Sequence, residues 1–279
     1  MKIVKEIKKF LIQAGKKWKS DNSSTLAAAL AYYTLFSLAP LLLIVIAMAG
    51  ILFGRDAAEG KIIEQVQGIL GHDGAVFVQD LVRNVQHSSN NILASVIGIA
   101  VLMLGATGIF SQLQSSLDTI WNAPQRKTHA LVKILKEKTL SFGMVLLVGL
   151  LLIISLLAST ILAAFSPYFN ELVPGSLWVF QLGEVILSLA IITTLFSFMF
   201  AFLPNVYIRM RDAFVGGFIT TCLFMLGKYG LSWYLASRVV ASSYGAAGSV
   251  VLILLWVYYS AIIFYFGAAC TYVYVGTKR

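Results

Sequence analysis

The feature that most constrains this sequence is a set of apolar runs of about 20 residues, the length of helix that crosses roughly 30 Å of hydrocarbon. One reads LAAALAYYTLFSLAPLLLIVIAMAG and another GSVVLILLWVYYSAIIFYFGAACTYVY. In hydrocarbon every backbone N–H and C=O must be satisfied within the chain, so a segment of this length crosses as a helix. Six such spans are predicted, at about 26–53, 92–112, 139–164, 184–204, 213–236 and 246–275. Composition agrees: 59% of the 279 residues are hydrophobic and 12% are charged. A soluble domain carries about 25% charge. The expectation is an all-α polytopic membrane protein, a single integral membrane domain over 1–279 with no separable second domain.

The net charge of +9 matters less than its distribution. Sixteen of the Lys and Arg residues fall before residue 26, in the 113–138 and 205–212 connections and at the C-terminus; four (Arg55, Lys61, Arg83, Arg238) fall in the alternate connections, and Lys228 lies within a span. The positive-inside rule then predicts both termini in the cytoplasm, and an even number of spans predicts the same. Residues 1–25 lack the compact apolar core and cleavage site of a signal peptide. Instead Ile3, Ile7, Phe10, Leu11, Ala14 and Trp18 recur at helical spacing among seven lysines. That pattern predicts an amphipathic helix on the anionic lipids of the cytoplasmic face. Within 54–91, apolar positions predict two short helices with GHDG (71–74) as the turn between them, a small helical extracytoplasmic cap on the outer ends of the spans. Leu131, Ile134 and Leu135 among lysines predict a further interfacial helix.

Candidate site residues follow from polar atoms placed in apolar runs. In the first span Ala29, Tyr33, Ser37 and Pro40 share one face. Pro40 removes the hydrogen bond to the carbonyl of residue 36 and predicts a kink, with Ser37 or Thr34 near enough to serve the freed carbonyl. Two readings stand together: a packing stripe ending in a kink, or a polar cavity lined by Tyr32, Tyr33 and Ser37. At the outer start of the last span, Gly245 and Gly248 expose amides at a positive helix end that suits an anion or polar headgroup, or are ordinary turn glycines. Farther along, Ser260, Phe264, Gly267 and Thr271 form a smooth stripe for close helix contact, while Tyr258, Tyr265 and Tyr272 recur every seven residues beside Tyr259, with Tyr272 expected as an anchor at the inner interface. Lys228 either snorkels to outer headgroups or pairs with Glu184. Asp118, near Gln112 and Gln114, either lines a polar inner mouth or is a solvated helix-end acid.

Other chemistry is not signalled. No Asp or Glu falls near the middle of a span, which argues against a carrier coupled through a buried carboxylate. His72, His87 and His129 form no HExxH, the acids form no paired metal motif, and no GxxxxGK[ST] loop is present. No enzyme activity and no cofactor or metal are expected. Cys222 and Cys270 lie in apolar runs without ligand spacing and read as small packing residues.

Three stretches together resemble the YihY/BrkB family of bacterial inner-membrane proteins, formerly labelled ribonuclease BN. They are LAAALAYYTLFSLAPLLLIVIAMAG (26–50), GATGIFSQLQSSLDTIWNAP (105–124) and YGAAGSVVLILLWVYYSAIIFYFGAACTYVY (244–274). The residues that match are Tyr32, Tyr33, Ser37, Pro40, Trp121, Asn122, Gly245, Gly248, Trp256, Tyr258, Tyr259, Gly267 and Thr271. The resemblance implies six transmembrane helices with cytoplasmic termini in a bacterial inner membrane, and a transporter or envelope-associated role; it supplies no catalytic residues. The favoured function is therefore transport or export of a small solute or lipid-like amphiphile, the substrate unnamed, without direct use of ATP. The alternative is a non-transporting envelope-assembly scaffold docking a partner through 54–91. A membrane ribonuclease is disfavoured, because positive-inside charge accounts for the basic surface without nucleic acid and no acid–base set is available to cleave it.

Overall fold

A computed structural model describes residues 2–87, 108–124, 139–140, 143–144, 146–155, 157–158, 160–161, 165, 177–236 and 248–278. Among them the regular structure is helical: α1 (Lys2–Ser20), α2 (Ser23–Phe53), α3 (Arg55–His87), α4 (108–120), α5 (Leu146–Ser155), α6 (Leu177–Phe202), α7 (Met210–Ala236) and α8 (Gly248–Lys278). α6, α7 and α8 are each long and apolar enough to cross a membrane, and α2 makes a fourth if its bent halves count as one span. The expected span at 92–112 falls mostly outside the described residues, which include about two thirds of the one at 139–164; the helix expected around 131–135 and Gly245 lie outside them.

Cross-helix contacts fix the direction of each segment. Thr193 meets Thr221 while Ser197 meets Gly217, so α6 and α7 are antiparallel. Gly216 meets Thr271 and Gly267 meets Thr220, so α7 and α8 are antiparallel too. Gly108 lies against Tyr33 and Ser37 at one end of α4, and at the other Trp121 and Trp18 join the same core, so α4 runs against α2. Gly149 and Ile153 pack on Val45, Met48 and Ala49, so α5 runs with α2. The segments alternate in direction, and Lys17 stands 4.6 Å over the Tyr272 ring, which puts α1 beside the end of α8.

Close approach is what the glycines of α7 and α8 provide. In lipid, helices do not associate by hydrophobic transfer; small residues let backbones come near enough for dispersion and hydroxyl contacts. A Cβ on Gly217 would stand 2.9 Å from the Ser197 nitrogen and 2.9 Å from the Thr193 carbonyl oxygen, inside the space held by α6 backbone. Gly216 and Gly267 each face a threonine of the neighbouring helix, Thr271 and Thr220. Of the stripe Ser260–Phe264–Gly267–Thr271, Gly267 and Thr271 thus meet α7 at close range. Around it lies the main core, with Leu30 of α2, Phe110, Leu113, Leu117 and Ile120 of α4, Phe200 of α6 with Leu203 just after it, and Phe264 and Tyr265 of α8. The α4 residues recur at three- and four-residue steps, one apolar face turned inward.

Two expectations change. α2 is bent by 53° between its halves Ser23–Leu38 and Leu41–Ile51, as Pro40 requires. The Thr34 hydroxyl, however, donates to the carbonyl of Leu30 at 2.8 Å and not to the carbonyl freed by the proline. Secondly, GHDG does not interrupt the secondary structure, since helical hydrogen bonding runs through 55–87. Ile62 and Val82 nevertheless join Val45 and Ile46 in one buried cluster. A straight helix would hold them about 30 Å apart, so the axis of α3 bends between them. Nor does α3 sit only over helix ends: it lies along the second half of α2, with Ala58 packed beside Ala49.

The α6–α7 contact gives a stability test. Gly217→Leu is expected to cost about 1–3 kcal/mol, because the blocking atoms are backbone and cannot turn aside. Gly60→Ala, on an exposed turn of α3 with nothing within 4 Å of its missing Cβ, is expected to gain about 0.5–1 kcal/mol. Thermal unfolding in detergent, read on both variants, checks the pair.

Candidate functional site

The end of the bundle shared by α1 and the last turns of α8 is built from short polar contacts. α4 terminates at Trp121-Asn122-Ala123-Pro124: Asn122 takes φ 49°, its N–H donates to Thr119 O at 3.2 Å, and Ala123 N–H donates to Asp118 O at 2.8 Å. Those two bonds are a Schellman end, with asparagine in the left-handed position and proline following. The Asp118 side chain then reaches the α6–α7 connection, accepting from the Asn205 backbone N–H at 2.6 Å and from its Nδ2 at 2.7 Å. Asn122 Nδ2 donates to the Tyr272 hydroxyl at 3.3 Å, and the Trp121 and Tyr272 rings meet edge to face at 5.5 Å. On the other side of Tyr272 the Lys17 ammonium covers the ring and pairs with Asp21 at 2.9 Å. One aromatic residue thereby ties α1, the α4 terminus and α8 together.

Beside this node opens a cleft of about 1300 Å³. Its walls come from one face of α1 (Glu6, Ile7, Lys9, Phe10, Gln13), from Trp121, from Val206 and Tyr207 after α6, from Val215 and Ile219 of α7, and from 272–277 of α8. The lining is mostly apolar. Lys9 and Glu6 are its charged members, three residues apart on one helix face, and they form no ion pair with each other. Tyr207 is 90% exposed at the rim. Ile7, Leu11 and Ile12 on α1 are also exposed, while Ala14 is buried, so α1 packs part of its apolar face on the bundle and leaves part outward.

The candidates read from sequence lie elsewhere and do not converge. Tyr33 and the buried Ser37 pack on Gly108, whereas Tyr32 (60% exposed) turns outward with its ring 5.0 Å from that of exposed Phe36. That geometry favours the packing stripe, with Pro40 supplying the bend. Lys228 and Glu184 are both exposed and make no ion pair, so the pairing considered for them is not formed. Glu184 also falls two turns inside α6 rather than at its start. Tyr259 covers Gly227, its hydroxyl 2.8 Å from where a Cβ would be, and Tyr258 packs on the main core. Gly248 begins α8 and is buried. Gln112 donates to the Ser116 hydroxyl at 3.2 Å, Gln114 is buried, and both Asp118 carboxylate oxygens accept from Asn205. Among the described residues no three His, Cys, Asp or Glu side chains group as metal ligands, and both cysteines are unbridged.

Sequence reasoning missed the cleft residues. Phe10 and Ile7 read as membrane-facing, Tyr272 as an interfacial anchor, and Val215 and Ile219 as ordinary span residues. Asp118→Asn keeps the shape of the clamp and removes its charge. It is expected to cost about 1.5–3 kcal/mol, the range for hydrogen bonds to an ionised group. Asn205→Ala is expected to lose part of the same energy and the double variant little more, a non-additivity read by a thermal double-mutant cycle. Lys228→Met, at an exposed position without an ion-pair partner among the described residues, is expected to stay within about 0.5 kcal/mol.

Known proteins place the chain by relationship. It is 26% identical over 263 residues to a UPF0761 membrane protein of Azoarcus sp. (strain BH72), covering 94% of this chain and 62% of that protein. It is 27% identical over 263 residues to one of Saccharophagus degradans, covering 92% of this chain and 59% of that protein. Against a relative from Alteromonas mediterranea the figures are 27% over 259 residues, 92% and 84%. The chain thus spans 62% and 59% of the length of the first two. No solved structure matches. Residues 14–278 match the family described as Virulence factor BrkB, and with nearly the whole chain inside that match, this membrane protein belongs to the BrkB family.

Proposed function

We propose that this chain is an inner-membrane transporter or exporter of a lipid-like amphiphile, working without direct use of ATP, with six alternating spans and both termini in the cytoplasm. The observation that carries the reading is the cleft: apolar walls with a charged, aromatic rim, opening where an amphipathic helix meets the ends of α7 and α8. Such a cleft suits a molecule with an apolar body and a polar head. The alternating directions of α2, α4, α5, α6, α7 and α8 support the span count, and the lysines of α1 beside the end of α8 support the orientation under the positive-inside rule. The reading includes no catalytic step and no nucleic acid.

Two measurements test it. In a cysteine-free background, Lys5→Cys and Gly276→Cys are expected to react with an impermeant thiol reagent from the cytoplasmic side, and His72→Cys from the opposite side. Labelling of Lys5→Cys and His72→Cys from one side would overturn the topology. For transport, proteoliposomes bearing the purified chain are expected to exchange a fluorescent phospholipid between leaflets faster than empty vesicles, with ATP making no difference. Equal rates for full and empty vesicles, with small solutes also retained, would leave the scaffold role as the better account.

A further inference from the structure

We infer that the cleft between α1, α7 and α8 is a binding site for an anionic phospholipid drawn from the surrounding bilayer, with its phosphate at Lys9 and its acyl part against Phe10, Val215 and Ile219. The inference rests on the reading that the cleft serves an amphiphile, and names which one. Three observations select the class. First, size: about 1300 Å³ exceeds the roughly 300–1,000 Å³ of a pocket for a drug-sized ligand and has room for part of a two-chain lipid. Second, position: exposed Ile7, Leu11 and Ile12 share α1 with its lysines, the signature of a helix at the headgroup–acyl boundary, so the cleft opens at the depth where a lipid's head meets its chains. Third, charge: the lysines of α1 outnumber its one acid, Glu6, and Lys9 lines the cleft without an ion-pair partner among the described residues.

The neighbouring ionisable groups sharpen the choice. Lys17 is committed to Asp21 and the Tyr272 ring, and so is withdrawn from the cleft. Glu6 stands one turn from Lys9 on the same face and can accept a hydrogen bond from a headgroup hydroxyl. A phosphodiester lipid bearing headgroup hydroxyls satisfies both residues. A choline lipid offers Glu6 no hydrogen-bond donor and carries no net charge for the lysine-rich α1 to attract. The Trp121 and Tyr272 rings form the part of the wall where amphipathic aromatics favour the glycerol level.

The test is lipid titration of the purified full chain in detergent, read by native mass spectrometry, with phosphatidylglycerol and phosphatidylcholine of identical acyl chains. Phosphatidylglycerol is expected to bind the more tightly. Lys9→Glu is expected to weaken it by roughly fivefold or more, the worth of one surface lysine facing an anionic lipid. Lys16→Glu, on the same helix and outside the cleft, is expected to change binding far less. Ile219→Trp fills the apolar wall and is expected to weaken both lipids alike. Equal binding of the two lipids, or equal loss from Lys9→Glu and Lys16→Glu, would overturn the site and leave only diffuse surface attraction. Selective binding without leaflet exchange in proteoliposomes would remove the transport reading while the site stands. Exchange without selective binding would remove the site alone.

Discussion

The close packing of α7 against both α6 and α8 is the constraint on which the rest of this bundle depends. Helices in lipid gain nothing from hiding apolar surface that lipid already accommodates, so contact must come from shape and from short polar bonds. Gly216, Gly217 and Gly267 remove side chains where the axes come nearest. Thr193 and Thr221 then join hydroxyl to hydroxyl at 3.1 Å across the α6–α7 contact. With three helices fixed at that spacing, Phe196, Phe200 and Phe264 stack into the space between them, and the α4 face finds a surface to cover. Had these positions carried larger residues, the helices would stand farther apart and the aromatic layer would lose its neighbours.

The same spacing decides where α1 can rest. α8 runs past the membrane-spanning length to Lys278, and its last turns give α1 a surface that is partly aromatic and partly open. Lys17 over Tyr272 and the Asp118–Asn205 clamp hold opposite sides of that surface. Val206 of the α6–α7 connection packs on the core while Tyr207 beside it is exposed, and with the Glu6–Gln13 face of α1 they wall the cleft.

Much of the fold was legible in the sequence because it rests on local rules. Apolar length marked α2, α6, α7 and α8 to within a few residues at most ends, Pro40 marked the bend, and Gly267 with Thr271 marked the seam. GHDG misled, since two glycines usually end a helix, yet here the backbone stays helical while its axis bends to keep Ile62 and Val82 on one cluster. That outcome is set by α2, which no local pattern in 54–91 contains. The cleft was illegible for a related reason. Its walls come from segments more than 200 residues apart, and each residue has a sufficient local account on its own: Ile7 as a membrane face, Ile219 as a span residue, Tyr272 as an anchor. Only their juxtaposition makes a site.

The polar residues inside the spans bear on why the cleft, and not the bundle interior, is the place for a charged headgroup. Thr34, Thr194, Ser197, Thr220, Thr221 and Thr271 each donate their hydroxyl proton to the carbonyl four residues back, at 2.6 to 2.8 Å. A hydroxyl so engaged has only lone pairs left to offer. A phosphate needs donors or cations, so these threonines and this serine cannot receive one without breaking bonds to their own helices. Lysine at the cleft rim has three donors and no such commitment. The arrangement separates two tasks: these hydroxyls serve carbonyls of their own helices, with the Thr193–Thr221 bond crossing between α6 and α7, and the Lys9 ammonium stands at the cleft.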